Sequence, residues 1–346
     1  MTIADQSLSV VPDRPQIILH VGHEKCGSKT IQQFLRDNQA DLLAEGIYCP
    51  KLPKIGNYDM GLDAYGGNPA SLQEFAKVNG LSASQIDDFD AYFEAALVQE
   101  ITQVNPARIA FSFEGLLCRS EDRIRKIGAL LQKISSNIRV FAIARKQDNW
   151  AISAYTTRLV HTGSVSQNVL RNDDNAPHGL RYHSHLRMWE SATGGHPVLT
   201  IAFEDHPDVL VPFKQALGTQ IPHDNLPRSN SSLSAHSQEI LRNFNLAQTD
   251  NPTWHKNRAA IRNQLFALLP RGAPKLPPQS DVDAFMQVYA EENLRLKWDY
   301  LPQASKYFDR RHSFPPQDIA ITISSAELND WVGKAIEVLG PKIKID

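Results

Sequence analysis

The chain has 346 residues, 42% of them hydrophobic, with 36 lysines and arginines against 38 aspartates and glutamates, a formal charge of −2. That supplies a sizeable buried core and lacks the basic excess of proteins whose main partner is nucleic acid. No apolar run approaches the roughly 18 residues of a membrane span, and the first residues lack the basic start of a signal peptide. The three cysteines, Cys26, Cys49 and Cys118, are odd in number and show no metal-ligand spacing, so a reducing, cytoplasmic location without a disulfide framework is the expectation.

In chain order, residues 1–14 are polar and Pro-containing and predict a loose tail. Gln16 to Val21 carries Ile17, Ile18, Leu19 and Val21 with few charges, the pattern of a buried parallel strand. It runs into His20-Val-Gly-His-Glu-Lys-Cys-Gly-Ser-Lys-Thr30. Ile31, Phe34, Leu35, Leu42 and Leu43 then recur at helical spacing up to Gly46, which is placed to end the helix. A loop between a buried strand and a helix presents backbone N–H groups and the positive end of the helix dipole, which suits an anion. Lys25 and Lys29 add full charges, and Ser28 and Thr30 add hydroxyls. The common nucleotide loop, Gly-x-x-x-x-Gly-Lys-Ser/Thr, is not met: Gly22 and Gly27 have its spacing, but Ser28 intervenes before Lys29.

Ile47-Tyr-Cys49 reads as a short strand. The stretch from Lys51 to Pro69 is rich in Pro, Gly and Asn, and loops of that length often belong to binding sites. Helical patterns cover residues 71–79 and 84–104, the second with Ile86, Phe89, Tyr92, Phe93, Ala96 and Leu97 along one side. Arg108 to Ser112 is a strand running into Phe113-Glu114-Gly115, and Ser120 is placed to cap a helix reaching Ile134. Ile138 to Ala144 is a strand stopping at Arg145. A helix containing Trp150 and Leu159 ends at Gly163, and 164–178 is a polar loop. Leu186, Met188 and Trp189 mark another helix, and 197–203 a further strand. From Ser232 onward the chain is mainly helical, with a Pro-rich break at 269–278. Strands alternating with helices predict an α/β fold with a central parallel sheet, whose ligands sit at the carboxyl ends of the strands. Gly22, Glu114 and Arg145 all fall at such ends. The expected organisation is a tail (1–14), an α/β core (15–228) and a helical C-terminal part (229–346) packed on the core.

Arg145-Lys-Gln-Asp148 followed by Ser153-Ala-Tyr155 forms a second constellation, in which an Arg at a strand end and a Ser eight residues later can converge on one anion. The guanidinium offers a planar fork for phosphate oxygens and the Ser a hydroxyl. Lys25-Cys-Gly-Ser-Lys-Thr30 with Gln32 resembles the 5′-phosphosulfate loop of sulfotransferases, with Cys26 where Thr is usual and Lys29 where a second Thr or Ser is usual. The Arg145 constellation resembles the 3′-phosphate element of the bacterial sulfotransferase family. Looser likenesses follow in Leu180-Arg-Tyr182 through Trp189 to Phe203-Glu204, and in Asn230-Ser-Ser-Leu-Ser234, so the resemblance spans about residues 20–245.

That resemblance implies a P-loop NTPase-like fold of sulfotransferase type and 3′-phosphoadenosine 5′-phosphosulfate (PAPS) as donor, with adenosine 3′,5′-bisphosphate (PAP) as product. It implies Lys25 at the bridging oxygen or leaving phosphate. Gly22 and residues Cys26, Gly27, Ser28, Lys29 and Thr30 would cradle the 5′-phosphate, Arg145 and Ser153 would hold the 3′-phosphate, and Arg228 would approach the cofactor from its loop. Glu114 ends a strand where related enzymes place a catalytic base, and Phe111 and Phe113 beside it can raise its pKa; His23 is the next candidate. A nucleophilic Cys26 would need an Arg six residues on, where Gln32 stands. No metal is required. The resemblance implies a hydroxyl or amine acceptor, on a carbohydrate or small metabolite, and the sequence does not specify an oligomeric state. Two other readings stay open: an ATP- and magnesium-dependent kinase-like phosphotransferase, and a non-catalytic nucleotide-binding protein with a degenerate loop.

Overall fold

The computed structural model describes residues 15–50, 54–55, 58–59, 61–170, 178–223, 232–247, 256–309 and 312–340. The elements in order are β1 (Gln16–Gly22), α1 (Ser28–Asp37), α2 (Gln39–Ala44), β2 (Ile47–Tyr48), β3 (Lys54–Ile55), β4 (Tyr58–Asp59), α3 (Gly61–Tyr65), α4 (Pro69–Asn79), α5 (Ala83–Asp87), α6 (Phe89–Val104), β5 (Arg108–Glu114), α7 (Glu121–Ile134) and β6 (Ile138–Ala144). There follow α8 (Gln147–Thr157), α9 (Tyr182–Ala192), β7 (Leu199–Ala202), α10 (Leu210–Leu217), α11 (Ala235–Leu246), α12 (Arg258–Leu268), α13 (Gln279–Gln287), α14 (Ala290–Asp299) and α15 (Ser325–Leu339).

The fold is the expected α/β class: a five-stranded parallel sheet, in the order β2-β5-β1-β6-β7, flanked by helices, with a helical C-terminal part. The run of Ile17, Ile18, Leu19 and Val21 makes β1 the central strand, at most 1% exposed at each of these residues, as a strand covered on both faces must be. Among the described residues no helix is long and apolar enough to cross a membrane.

Several boundaries differ from the periodicity. The expected helix through Leu43 breaks at Asn38, whose backbone N–H and side-chain Nδ2 both donate to the Phe34 carbonyl (3.2 and 2.8 Å), so the side chain competes for the helix-closing acceptor. The 84–104 pattern divides at Asp88. Ser82 and Gln85 form a capping box that starts α5, and Ile86 lies exposed there, while the buried stripe Phe89, Phe93, Leu97 and Ile101 belongs to α6 alone. The helix α10 is an addition that periodicity did not indicate; the Asp208 carboxylate accepts the Leu210 N–H (2.9 Å) at its start. Helices α7 and α9 come to backbone contact at Gly128, where a Cβ would stand 2.2 Å from the Ala192 carbonyl oxygen.

The chain gathers into two units. One comprises Met1–Ala144, Arg181–Asn225 and Glu292–Ala304 and contains the sheet. The other comprises Arg145–Leu180, Leu226–Glu291 and Ser305–Asp346 and is helical. Within the second, the Gln238 side chain donates to Thr156 Oγ1 (2.8 Å) and accepts the Lys275 N–H (2.8 Å), tying α11 to α8 and to the Pro-rich stretch.

His20, in the middle of β1, is fully buried; it shares a hydrogen bond with Ser112 Oγ (2.8 Å) and packs beside the rings of Phe141 and Phe213, and its Nε2 meets no hydrogen-bond partner among the described residues. Burial lowers its pKa from the ordinary 6.5 to about 3, so between these values the folded ring is neutral where the unfolded one is protonated. Between those two values the unfolded chain binds the additional proton, so this contribution is complete above about pH 6.5 and falls as pH drops towards 3. At pH 5 the expected loss is about 2 kcal/mol. Urea midpoints at pH 7.5 and 5.0 measure it; a His20→Gln variant should show a pH difference smaller by that amount, and identical differences would count against it.

Candidate anion-binding site

Gly22 ends β1 in register with Glu114 at the end of β5, and its carbonyl accepts the N–H groups of Gly115 (2.8 Å) and Leu117 (3.3 Å). The loop beyond it curls through two left-handed residues, Lys25 (φ 65°) and Gly27 (φ 87°). Lys25 is the informative one, because a side-chain-bearing residue in this conformation stores strain that the surrounding loop must hold. The buried Cys26 lies between them, its thiol donating to the Glu24 carbonyl (3.4 Å), so it presents no nucleophile to solvent. Ser28 is buried too, and its hydroxyl donates to the His23 carbonyl (3.1 Å), closing the loop across its base. Val209 packs on the other side, where a Cβ on Gly27 would approach its Cγ2 to 2.9 Å. Val209 was not expected here, since nothing in its local sequence indicates a role beside a loop so distant in the chain.

Helix α1 therefore begins at Ser28 with Gly27 as its N-cap, without a side-chain cap and with no acidic residue in its first turn. The N–H groups of Thr30 and Ile31 return to the Gly27 carbonyl (3.0 and 3.3 Å). The amides at Ser28 and Lys29 head the helix, where first-turn N–H groups have no intrahelical acceptor. Lys25 and Thr30 are half-buried and Lys29 is exposed. His23 is buried, with Nδ1 within 3.1 Å of the Glu24 carbonyl and its ring edge-on to Tyr182 (5.8 Å). Glu114 is half-buried at the strand end. The neighbouring Cys118 thiol is pushed up in pKa, chiefly by burial, with Arg119 opposing the shift and Glu24 adding to it. The structure thus brings Gly22, His23, Lys25, Cys26, Gly27, Ser28, Lys29, Thr30 and Glu114 into one unit. Backbone donors, a half-buried ammonium and a helix dipole in that arrangement can bind an oxyanion such as phosphate.

Arg145 and Ser153 belong to the second unit. Arg145 directly follows β6, Ser153 sits on the second turn of α8, and both are half-buried. The residues between Arg145 and α8's second turn are committed to the local fold. Buried Lys146 donates to the Asp309 carbonyl (2.9 Å) and lies 3.4 Å from the Asp148 carboxylate; Asp148 accepts the Asn149 N–H (2.7 Å), and Gln147 donates to the Leu180 carbonyl (3.2 Å). Arg228 and Asn230 lie outside the described residues. Among the described residues no group of three or more His, Cys, Asp or Glu is placed to hold a metal ion.

No protein-family model matches the chain, and no curated protein does. Among solved structures, it is similar to a sulfotransferase from Alicyclobacillus acidocaldarius at 16% identity and a TM-score of 0.37, over 75% of this chain and 97% of that one. It is also similar to a structure from the PezAT chromosomal toxin-antitoxin system of Streptococcus pneumoniae at 17% identity and a TM-score of 0.28, over 59% of this chain and 78% of that one.

Proposed function

We propose that the chain is a sulfotransferase that moves a sulfuryl group from PAPS to a hydroxyl or amine acceptor, a carbohydrate or small metabolite. The observation that carries this reading is Lys25, a cation held at φ 65° at the turn of the loop, ahead of an α1 N-terminus without a carboxylate in its first turn. A nucleotide-hydrolase loop would instead place its lysine at the helix start immediately after the second glycine, where Ser28 stands.

When bound, the donor supplies a sulfuryl group on a phosphate leaving group. The amides of Gly27, Ser28 and Lys29 and the α1 dipole hold the 5′-phosphate charge. In this role Ser28 acts through its amide, since its hydroxyl closes the loop on His23. Lys25 stabilises the charge that builds on the leaving phosphate, the kind of term on which such transfers depend most. Arg145 and Ser153 take the 3′-phosphate, the feature that separates this donor from ordinary nucleotides. Glu114 accepts the acceptor's proton.

A thermal-shift series tests the reading. Saturation with PAP at 100 times its dissociation constant, without metal, should stabilise the fold by about 2.7 kcal/mol. Dependence on ATP with magnesium would replace the reading with phosphoryl transfer, and no response to either would leave a non-catalytic protein. Arg145→Ala should weaken PAP binding about 10- to 100-fold by calorimetry, the size of a lost charge-assisted pair, while AMP binding changes less than about threefold. Equal losses for the two nucleotides would remove Arg145 from the 3′-phosphate.

A further inference from the structure

Asp63, on α3, is 1% exposed, yet every face of its carboxylate is engaged. It accepts from Ser71 Oγ (2.6 Å) and Asn68 Nδ2 (2.7 Å) at the start of α4, and from Nε (2.6 Å) and Nη2 (2.9 Å) of Arg119. Arg119 ends the turn that begins at Glu114. The head of that turn hangs on Gly22 through the Gly115 and Leu117 amides, and its middle is anchored by Leu116 and Leu117, at most 1% exposed. Its tail closes through the Arg119 N–H on the Leu116 carbonyl (3.3 Å) and the guanidinium fork on Asp63. The guanidinium folds back over the turn: a Cβ on Gly115, the residue after Glu114, would lie 3.3 Å from Arg119 Nη2. Replacing a buried ion pair by apolar groups is often neutral for stability, so the specific content of this bidentate pair is its geometry.

We propose that Asp63 and Arg119 are positioning residues that hold the turn carrying Glu114 in fixed geometry beside Gly22 and the phosphate loop. The role of Glu114 as base rests on the function proposed above; the immobilisation of its turn does not. Among the described residues, the ionisable groups of the loop, of α3 where it meets the turn, and of the turn itself are His23, Glu24, Lys25, Cys26 and Lys29, then Asp63, then Glu114, Cys118 and Arg119.

The test removes Arg119 and Asp63 one at a time, as Arg119→Gln and Asp63→Asn. Hydrogen exchange of the Gly115 and Leu117 amides should accelerate at least tenfold in each, with β6 protection unchanged. In turnover, kcat should fall at least tenfold with the donor KM within threefold, and Arg119→Lys should recover part of kcat. The acid limb of the kcat profile should move to higher pH in Arg119→Gln, which removes the cation lying over the turn that carries Glu114, and to lower pH in Asp63→Asn, which unmasks that cation. The double variant Asp63→Asn/Arg119→Gln leaves no unpaired charge and carries the test where a single one fails to fold. Unchanged exchange together with unchanged kcat and acid limb would overturn the proposal. If the wild-type protein turns over no acceptor, the function falls and exchange alone decides the positioning.

Discussion

Gly22→Ala is expected to cost about 1–3 kcal/mol of stability, the range for forcing a methyl group into a packed interior, and to weaken PAP binding at least tenfold. The added Cβ would lie 2.5 Å from Ser28 Oγ and 3.0 Å from the Phe113 carbonyl oxygen. The strand cannot yield, because Gly22 is paired to Glu114 and its carbonyl already accepts two amides. Ser28 would have to move, and its hydroxyl bond to His23 closes the loop. Adding Ser28→Ala to Gly22→Ala removes the nearer clash and should return part of the stability, a coupling that a double-mutant cycle measures by denaturation. An alanine variant with wild-type affinity would show that the loop does not depend on this contact.

Lys25→Ala should lower kcat by about 10²–10³, the scale of losing one preorganised charge at the transition state, with the melting temperature close to that of the wild type. Lys25→Gly separates the cation from the backbone. At φ 65° a residue with a Cβ pays for its left-handed conformation, so the glycine variant should be about 1 kcal/mol more stable than the alanine variant while equally inactive. Stability from urea denaturation and turnover with a saturating acceptor check the two halves independently. An unaffected rate in either variant would remove Lys25 from the chemistry; an alanine variant as stable as the glycine one would mean the loop relaxes out of the strained conformation.

The α/β class and the position of the loop between β1 and α1 were written in local sequence. The apolar runs at 16–22, 108–114 and 138–144 are long enough, and free enough of charge, that only a sheet covered on both faces accommodates them. Gly22 and Glu114 could be placed at strand ends from the same runs. Periodicity failed where a polar side chain competed with the helix backbone, at Asn38, and where a capping box restarted a helix, at Ser82. Only the tertiary structure paired Asp63 with Arg119, set Val209 against Gly27 and turned the Ser28 hydroxyl onto His23. It also divided Arg145 and Ser153 from the loop residues by unit, and committed Lys146, Gln147 and Asp148 to the structure around α8. The reason is common to all of these: apolar periodicity is a property of neighbours in the chain, whereas the partner of a buried polar group is chosen by whichever distant segment packing brings within hydrogen-bond reach.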